Sequence, residues 1–137
     1  MVMDEIWKKN QQALGLTDEQ IEVMKQDPKR RKFIEASPQL VRKKVIAEVI
    51  SAKNCAAGHK VGDRYVIRAA GYLVPEESPK NLCLSALVPL QPFVSVAGER
   101  IAEGIDPNGM ITDHAGCLDV GFECGGFGRV VMKIRVE

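Results

Sequence analysis

Thiols and imidazoles are the side chains of this sequence best suited to chemistry at neutral pH, and they are concentrated in a few short stretches. Cys55 and His59 stand four residues apart in Cys55-Ala56-Ala57-Gly58-His59, and Asp63 follows behind Gly62. Cys83 ends Asn81-Leu82-Cys83, Cys117 stands two residues before Asp119, and His114 and Cys124 flank that pair. A thiolate and an imidazole on one short loop can reach the same ion, because tetrahedral zinc takes sulfur at about 2.3 Å and nitrogen at about 2.0 Å. Cys55, His59, Cys83 and Cys117 thus make a four-ligand set for a transition metal, zinc or iron. Cys83 suits it further if it opens a helix, where amide dipoles favour an anionic sulfur. The set lacks any Cys-x-x-Cys pair, the spacing that marks structural zinc most specifically.

The same residues support two other readings. In the first, Cys83 or Cys117 is a nucleophilic thiolate, His59 or His114 its base, and Asp63 or Asp119 orients the imidazole, all without metal. In the second, the cysteines are small apolar groups filling a core, since free cysteine is among the most buried residue types. Cys124 fits that use best, because on an alternating strand it shares a face with Leu118, Val120 and Phe122. Asp63 behind Gly62 is ordinary turn chemistry, its carboxylate bonding nearby amides, and His114 beside Asp113 reads as a solvated loop residue. A disulfide framework needs an oxidising compartment. Residues 1–16 carry Asp4, Glu5, Lys8 and Lys9 inside their apolar stretch, which is no secretory signal, so a cytoplasmic location is expected.

The elements that must position these groups can be read from local signals. Thr17-Asp18-Glu19-Gln20 is a capping box ahead of Ile21 and Met24, and Asp27-Pro28 ends one helix and begins another. Phe33 and Ile34 add a short apolar stripe before Ser37-Pro38. Helices so poor in large apolar groups are marginal alone and should lie across the rest of the chain or a neighbouring subunit. The β-branched run 45–50 predicts a strand, 54–58 a loop, and 64–68 a second strand entered through Gly62-Asp63, so Cys55 and His59 sit on a strand connection. Ser78-Pro79 predicts the next helix start, followed by Leu82, Ala86, Leu90, Phe93, Val94, Ala97 and Ile101 at steps of three and four. Pro89 and Pro92 inside that stripe call for a kink or two abutting helices. Pro107-Asn108-Gly109 is a turn, 117–124 and 130–136 are the last two strands, and Gly125, Gly126 and Gly128 make the bend between them. The expected fold is α+β, a small antiparallel or barrel-like sheet packed on a central proline-kinked helix, preceded by a helical extension over 1–44. The Cys/His domain then spans 45–137.

Composition sets the outer bounds. The 137 residues, 45% apolar and 27% charged, suit one globular domain and contain no run able to span a membrane. Residues 1–44 carry ten Lys/Arg against seven Asp/Glu and the remainder nine against eleven, so the formal charge is only +1. That balance excludes nucleic acid and anionic membranes as electrostatic partners. The one basic run, Lys29-Arg30-Arg31-Lys32, lacks aromatic interleaving and reads as a solvated helix face. The glycines of 121–128 match no phosphate loop, since neither a Walker lysine nor a helix follows; they predict a tight bend where backbone comes close to a ligand or a subunit.

Residues 45–63, with Cys55, His59, Gly62 and Asp63 in the pattern Cys-x3-His-x2-Gly-Asp, resemble the opening of a family of small uncharacterised bacterial proteins common in anaerobes. Cys83 after a leucine, Pro89 in the following apolar helix, and Cys117-x-Asp119 match the family's later motifs, while Cys124 and His114 fall outside them. The resemblance covers 45–137, and the helical first 44 residues look like an extension found in some members. It implies that Cys55, His59, Asp63, Cys83, Cys117 and Asp119 form one site, without naming its chemistry. The expectation is therefore a small Cys/His domain binding a metal or small ligand, an accessory subunit in anaerobic metabolism. A metal-independent thiol enzyme and a structural or interaction module are the alternatives. Open sheet edges and thinly apolar helices also call for cover, and a homodimer is the expected form.

Overall fold

The computed structural model describes residues 2–137. Four helices come first: α1 (Met3–Leu14), α2 (Asp18–Gln26), α3 (Pro28–Glu35) and α4 (Ser37–Arg42). The capping box forms at α2, where the Gln20 amide donates to Thr17 Oγ1 at 3.1 Å and the Thr17 amide to Gln20 Oε1 at 2.9 Å. Asp27 ends α2 and caps α3 by accepting from the Lys29 amide at 3.1 Å, and Pro28 fills the first position of α3. Ile6, Trp7, Ile21 and Ile34 bury one another in a small cluster of their own. Leu40 on α4 belongs instead to the main core, and its carbonyl accepts from the Ala70 amide at 2.9 Å. Among the described residues no helix is long and apolar enough to cross a membrane.

The rest is a sheet with helices on one face. Strands β1 (Lys44–Lys53), β2 (Arg64–Arg68), β3 (His114–Gly116) and β4 (Arg129–Val136) lie in the order β2-β1-β4-β3, every neighbouring pair antiparallel. The sheet is open: its edge strands β2 and β3 have five and three residues and lie on opposite sides, so the α+β expectation holds in its antiparallel form, not as a barrel. One face carries Val45, Ala47 and Val49 of β1, Tyr65 and Ile67 of β2, and Met132 and Ile134 of β4. Helices α5 (Leu84–Leu87) and α6 (Gln91–Ala102) cover it with Ala86, Val94, Ala97 and Ile101. A 3-10 turn, Val88–Leu90, separates the two helices where Pro89 and Pro92 withhold their amide hydrogens.

Two expected elements do not form. Ser78-Pro79 opens no helix: the Ser78 hydroxyl accepts from the Val66 amide of edge strand β2 at 3.1 Å and donates to the Val74 carbonyl at 2.8 Å, so α5 begins only after Cys83. The expected strand over 117–124 is a loop. β3 ends at Gly116, and Asp119 gathers the amides of Gly121, Phe127 and Gly128 so that 117–128 folds on itself, with a 3-10 turn at Phe122–Cys124. Leu118, Val120 and Phe122 stand 58%, 54% and 78% exposed in consequence, and Cys124 is exposed, not core.

Candidate functional site

Antiparallel pairing sends the end of β1, the end of β3 and the start of β4 to one edge of the core. Lys53 lies opposite Arg129, and Gly116 opposite Val131. The 54–63 connection starts at this end, returning to β1 where the Gly62 amide donates to the Val49 carbonyl at 3.0 Å and the Val49 amide to the Asp63 carbonyl at 2.8 Å. The Leu118 amide donates to the Ser85 carbonyl at 3.0 Å, which brings the chain after Cys117 beside α5. Local spacing alone could not have specified that meeting.

Its centre is Tyr65. On β2 the tyrosine alternates inward between Arg64 and Val66 and is fully buried. Its hydroxyl accepts from the Cys83 amide at 2.9 Å and lies 2.5 Å from His59 Nε2, the two rings meeting edge to face with centroids 5.4 Å apart. Because the Cys83 amide can only donate, the arrangement that satisfies the buried phenol's one hydrogen sends it to His59 Nε2, which assigns the hydrogen of a neutral imidazole to Nδ1. Burial pushes the Tyr65 hydroxyl above its ordinary pKa of 10.0, and the nearby thiols of Cys83 and Cys55 act in the same direction. Tyr65 therefore stays a neutral donor.

Besides the Tyr65 hydroxyl, His59 is the one buried polar side chain among the described residues. No group among them takes a hydrogen from its Nδ1, yet no buried side-chain nitrogen is left unpartnered. Nδ1 consequently keeps contact with solvent, through a crevice of about 310 Å³ lined by Gly58, His59, Lys60, Asp63, Lys80 and Asn81. Asn81 ties its far wall to the near one, its amide donating to the Ala57 carbonyl at 3.2 Å. A larger groove of about 470 Å³ between Phe33, Leu73, Leu87 and Val94 contains no buried polar side chain.

The remaining candidates have other neighbours. Cys55, Cys83 and Cys117 are partly buried and pack against the main core, and all four cysteines are free thiols. Cys117 is bound into the sheet: its amide donates to the Val130 carbonyl at 2.9 Å, and its sulfur accepts from the Val130 amide at 3.2 Å. Among the described residues no three His, Cys, Asp or Glu side chains are grouped to hold a metal ion. Two donors of the expected zinc or iron set are engaged elsewhere, His59 Nε2 by Tyr65 and the Cys117 sulfur by Val130. The expected orienting pairs are likewise unformed. Asp63 accepts from the Lys60 amide at 3.1 Å and pairs with its ammonium at 3.2 Å, contacts that hold the carboxyl below its usual range. His114 is exposed at the start of β3, its Nδ1 2.7 Å from Asp113, far from a role with Asp119.

Asp119 organises the glycine loop. It accepts from the amides of Gly121 at 3.0 Å, Gly128 at 2.9 Å and Phe127 at 3.1 Å, and these bonds hold its carboxyl below the ordinary 3.8. A carboxyl lowered in the folded state contributes stability that is present above pH 3.8 and is lost as pH falls through the folded value. In an acid titration followed by NMR, the amides of Gly121, Phe127 and Gly128 should therefore shift together with a midpoint below pH 3.8. A midpoint at or above that value would show the loop amides directed elsewhere.

Tyr65, Lys80 and Asn81 are the site residues that the sequence reading passed over. Tyr65 left one signal: an inward-facing phenol in an alternating strand must find a buried partner for its hydroxyl. Asn81 stood only as a neighbour of Cys83, and Lys80 left no local signal. Comparison of the chain with family models, with curated proteins and with solved structures finds no match.

Proposed function

We propose that this protein is a small-ligand-binding domain whose ligand enters the crevice between the 55–63 connection and the 79–81 segment. The carrying observation is His59: nearly all of the residue is buried, one ring nitrogen is held by Tyr65, and the other has no protein partner among the described residues and opens to the crevice. A polar atom that reaches solvent only through a narrow opening in an otherwise buried residue is completed there by water or by a ligand. A volume of about 310 Å³ suits a ligand of few heavy atoms, at the small end of binding pockets. In this reading Cys55 and Cys83 pack against the core, and the crevice lining contains no thiol. That favours binding over thiol catalysis.

The test is amide-resolved NMR of the intact chain with acetate, phosphate, glucose and methylammonium added in turn. At least one should move the amides of Gly58, His59, Lys60 and Asn81 in a saturable way; perturbation by none of them would overturn the reading. The wider proposal is a cytoplasmic accessory subunit of anaerobic metabolism that meets neither nucleic acid nor membrane. It includes a homodimer, for which Leu84, Leu118, Val120 and Phe122 leave apolar surface in need of cover. It also includes a zinc or iron ion on Cys55, His59, Cys83 and Cys117, which would require Tyr65 and Val130 to release two donors. Sedimentation equilibrium and elemental analysis of untagged protein test these two parts, a monomer or a metal-free chain overturning the part concerned.

A further inference from the structure

We infer that the crevice takes a small anion, a carboxylate or an oxyanion such as phosphate, with His59 Nδ1–H as a donor on its wall. The inference rests on the crevice being a ligand site and adds the charge and polarity of what fills it. With Nε2 receiving the Tyr65 hydrogen, the imidazole presents a donor and no acceptor to the crevice. The facing wall offers the Lys80 ammonium, which has no carboxylate partner among the described residues, and the second amide hydrogen of Asn81. Asp63 is the one carboxylate on the walls, and it is already engaged by the amide and ammonium of Lys60. The side chains on the walls therefore offer mainly donors, and the charge of Lys80 remains uncompensated. A ligand that supplies acceptor oxygens and negative charge completes these side-chain groups, whereas an amine would face the Lys80 ammonium and a carboxylate already paired with Lys60.

The experiment titrates acetate, inorganic phosphate, glucose and methylammonium into the intact chain, reading the backbone amides and the His59 ring nitrogens by NMR. The expected results are a hydrogen on Nδ1 in the neutral ring and saturable binding of acetate or phosphate that shifts it. Lys80→Gln should weaken that binding about three- to fivefold, the scale of an exposed charge contact. Asp63→Asn should strengthen it by a similar factor, because it removes the repelling charge and keeps an oxygen for the Lys60 amide. Opposite signs from two substitutions on one crevice distinguish electrostatics from general loss of structure, which would weaken both. If glucose or methylammonium alone shifts the crevice amides, the anion assignment is overturned and the ligand site stands. Shifts from no probe overturn both. Anion shifts confined to Lys29–Lys32, or a hydrogen found on Nε2, also overturn the assignment.

Discussion

Gly128→Ala should lower the unfolding free energy by about 3 kcal/mol, the upper range for forcing a group into a packed site. Gly128 is buried where the glycine loop enters β4, and a Cβ there would lie well under 3.0 Å from the carbonyl oxygens of both Lys53 and Asn54. Those atoms are backbone, so no rotamer change relieves the overlap. The ends of β1 and β4 would have to part, at the expense of the Lys53–Arg129 and Ala52–Val130 pairings and of the bond from the Gly128 amide to Asp119. Thermal unfolding should move down by roughly 10 °C in a domain of this size. Gly104→Ala is the control. Gly104, unlike Gly128, has a positive φ, 71°, and open space around it, so only backbone strain of about 1 kcal/mol is expected there. If the two alanines prove equally mild, the close approach of the glycine loop to β1 is wrong.

Tyr65→Phe should cost about 2 kcal/mol, because it deletes one oxygen and leaves two partners unpaired. The Cys83 amide loses its acceptor, and His59 Nε2, in a residue only 6% exposed, loses its donor. Tyr72→Phe, at a side chain 52% exposed with no comparable role, should change stability by no more than about 0.5 kcal/mol. A second readout separates a positioning role from simple packing: without the phenol, the His59 ring nitrogens should lose their single tautomer in NMR. The pH profile supplies a third. A phenol whose folded pKa is raised contributes stability that is complete below the ordinary 10.0 and disappears as pH rises through the folded value. That alkaline loss should be present in the parent protein and absent from Tyr65→Phe. An unchanged ring tautomer in the variant would remove the basis for placing the His59 hydrogen on Nδ1.

Both predictions concern contacts between segments distant in sequence, and this is where reading the chain and reading the fold part company. Thr17 and Gln20 cap α2 because an amide and a hydroxyl three residues apart meet as soon as a turn forms. Asp27-Pro28 divides two helices, and Pro89 and Pro92 divide α5 from α6, because a missing amide hydrogen acts within one turn of chain. The β1–β2 pairing around Cys55 and His59 is equally local. Ser78-Pro79 carried the same local signal and yet forms no helix, since an edge strand elsewhere in the chain claimed the hydroxyl. The alternation over 117–124 has strand period but no strand, because Asp119 offers three amides a partner closer than any neighbouring strand.

The sequence alone determined the α+β class, the helix stops, the proline break and the placing of Cys55 and His59 on a strand connection, all consequences of covalent geometry and bonds across a few residues. Only the tertiary structure decided that His59 pairs with a phenol instead of a thiol, that Cys117 bonds within the sheet, and that Asp63 and Asp119 hold loops instead of orienting a histidine. A polar side chain takes the best partner brought within reach when the core closes, and the identity of that partner is set by sheet register and helix docking, which no short stretch of residues encodes.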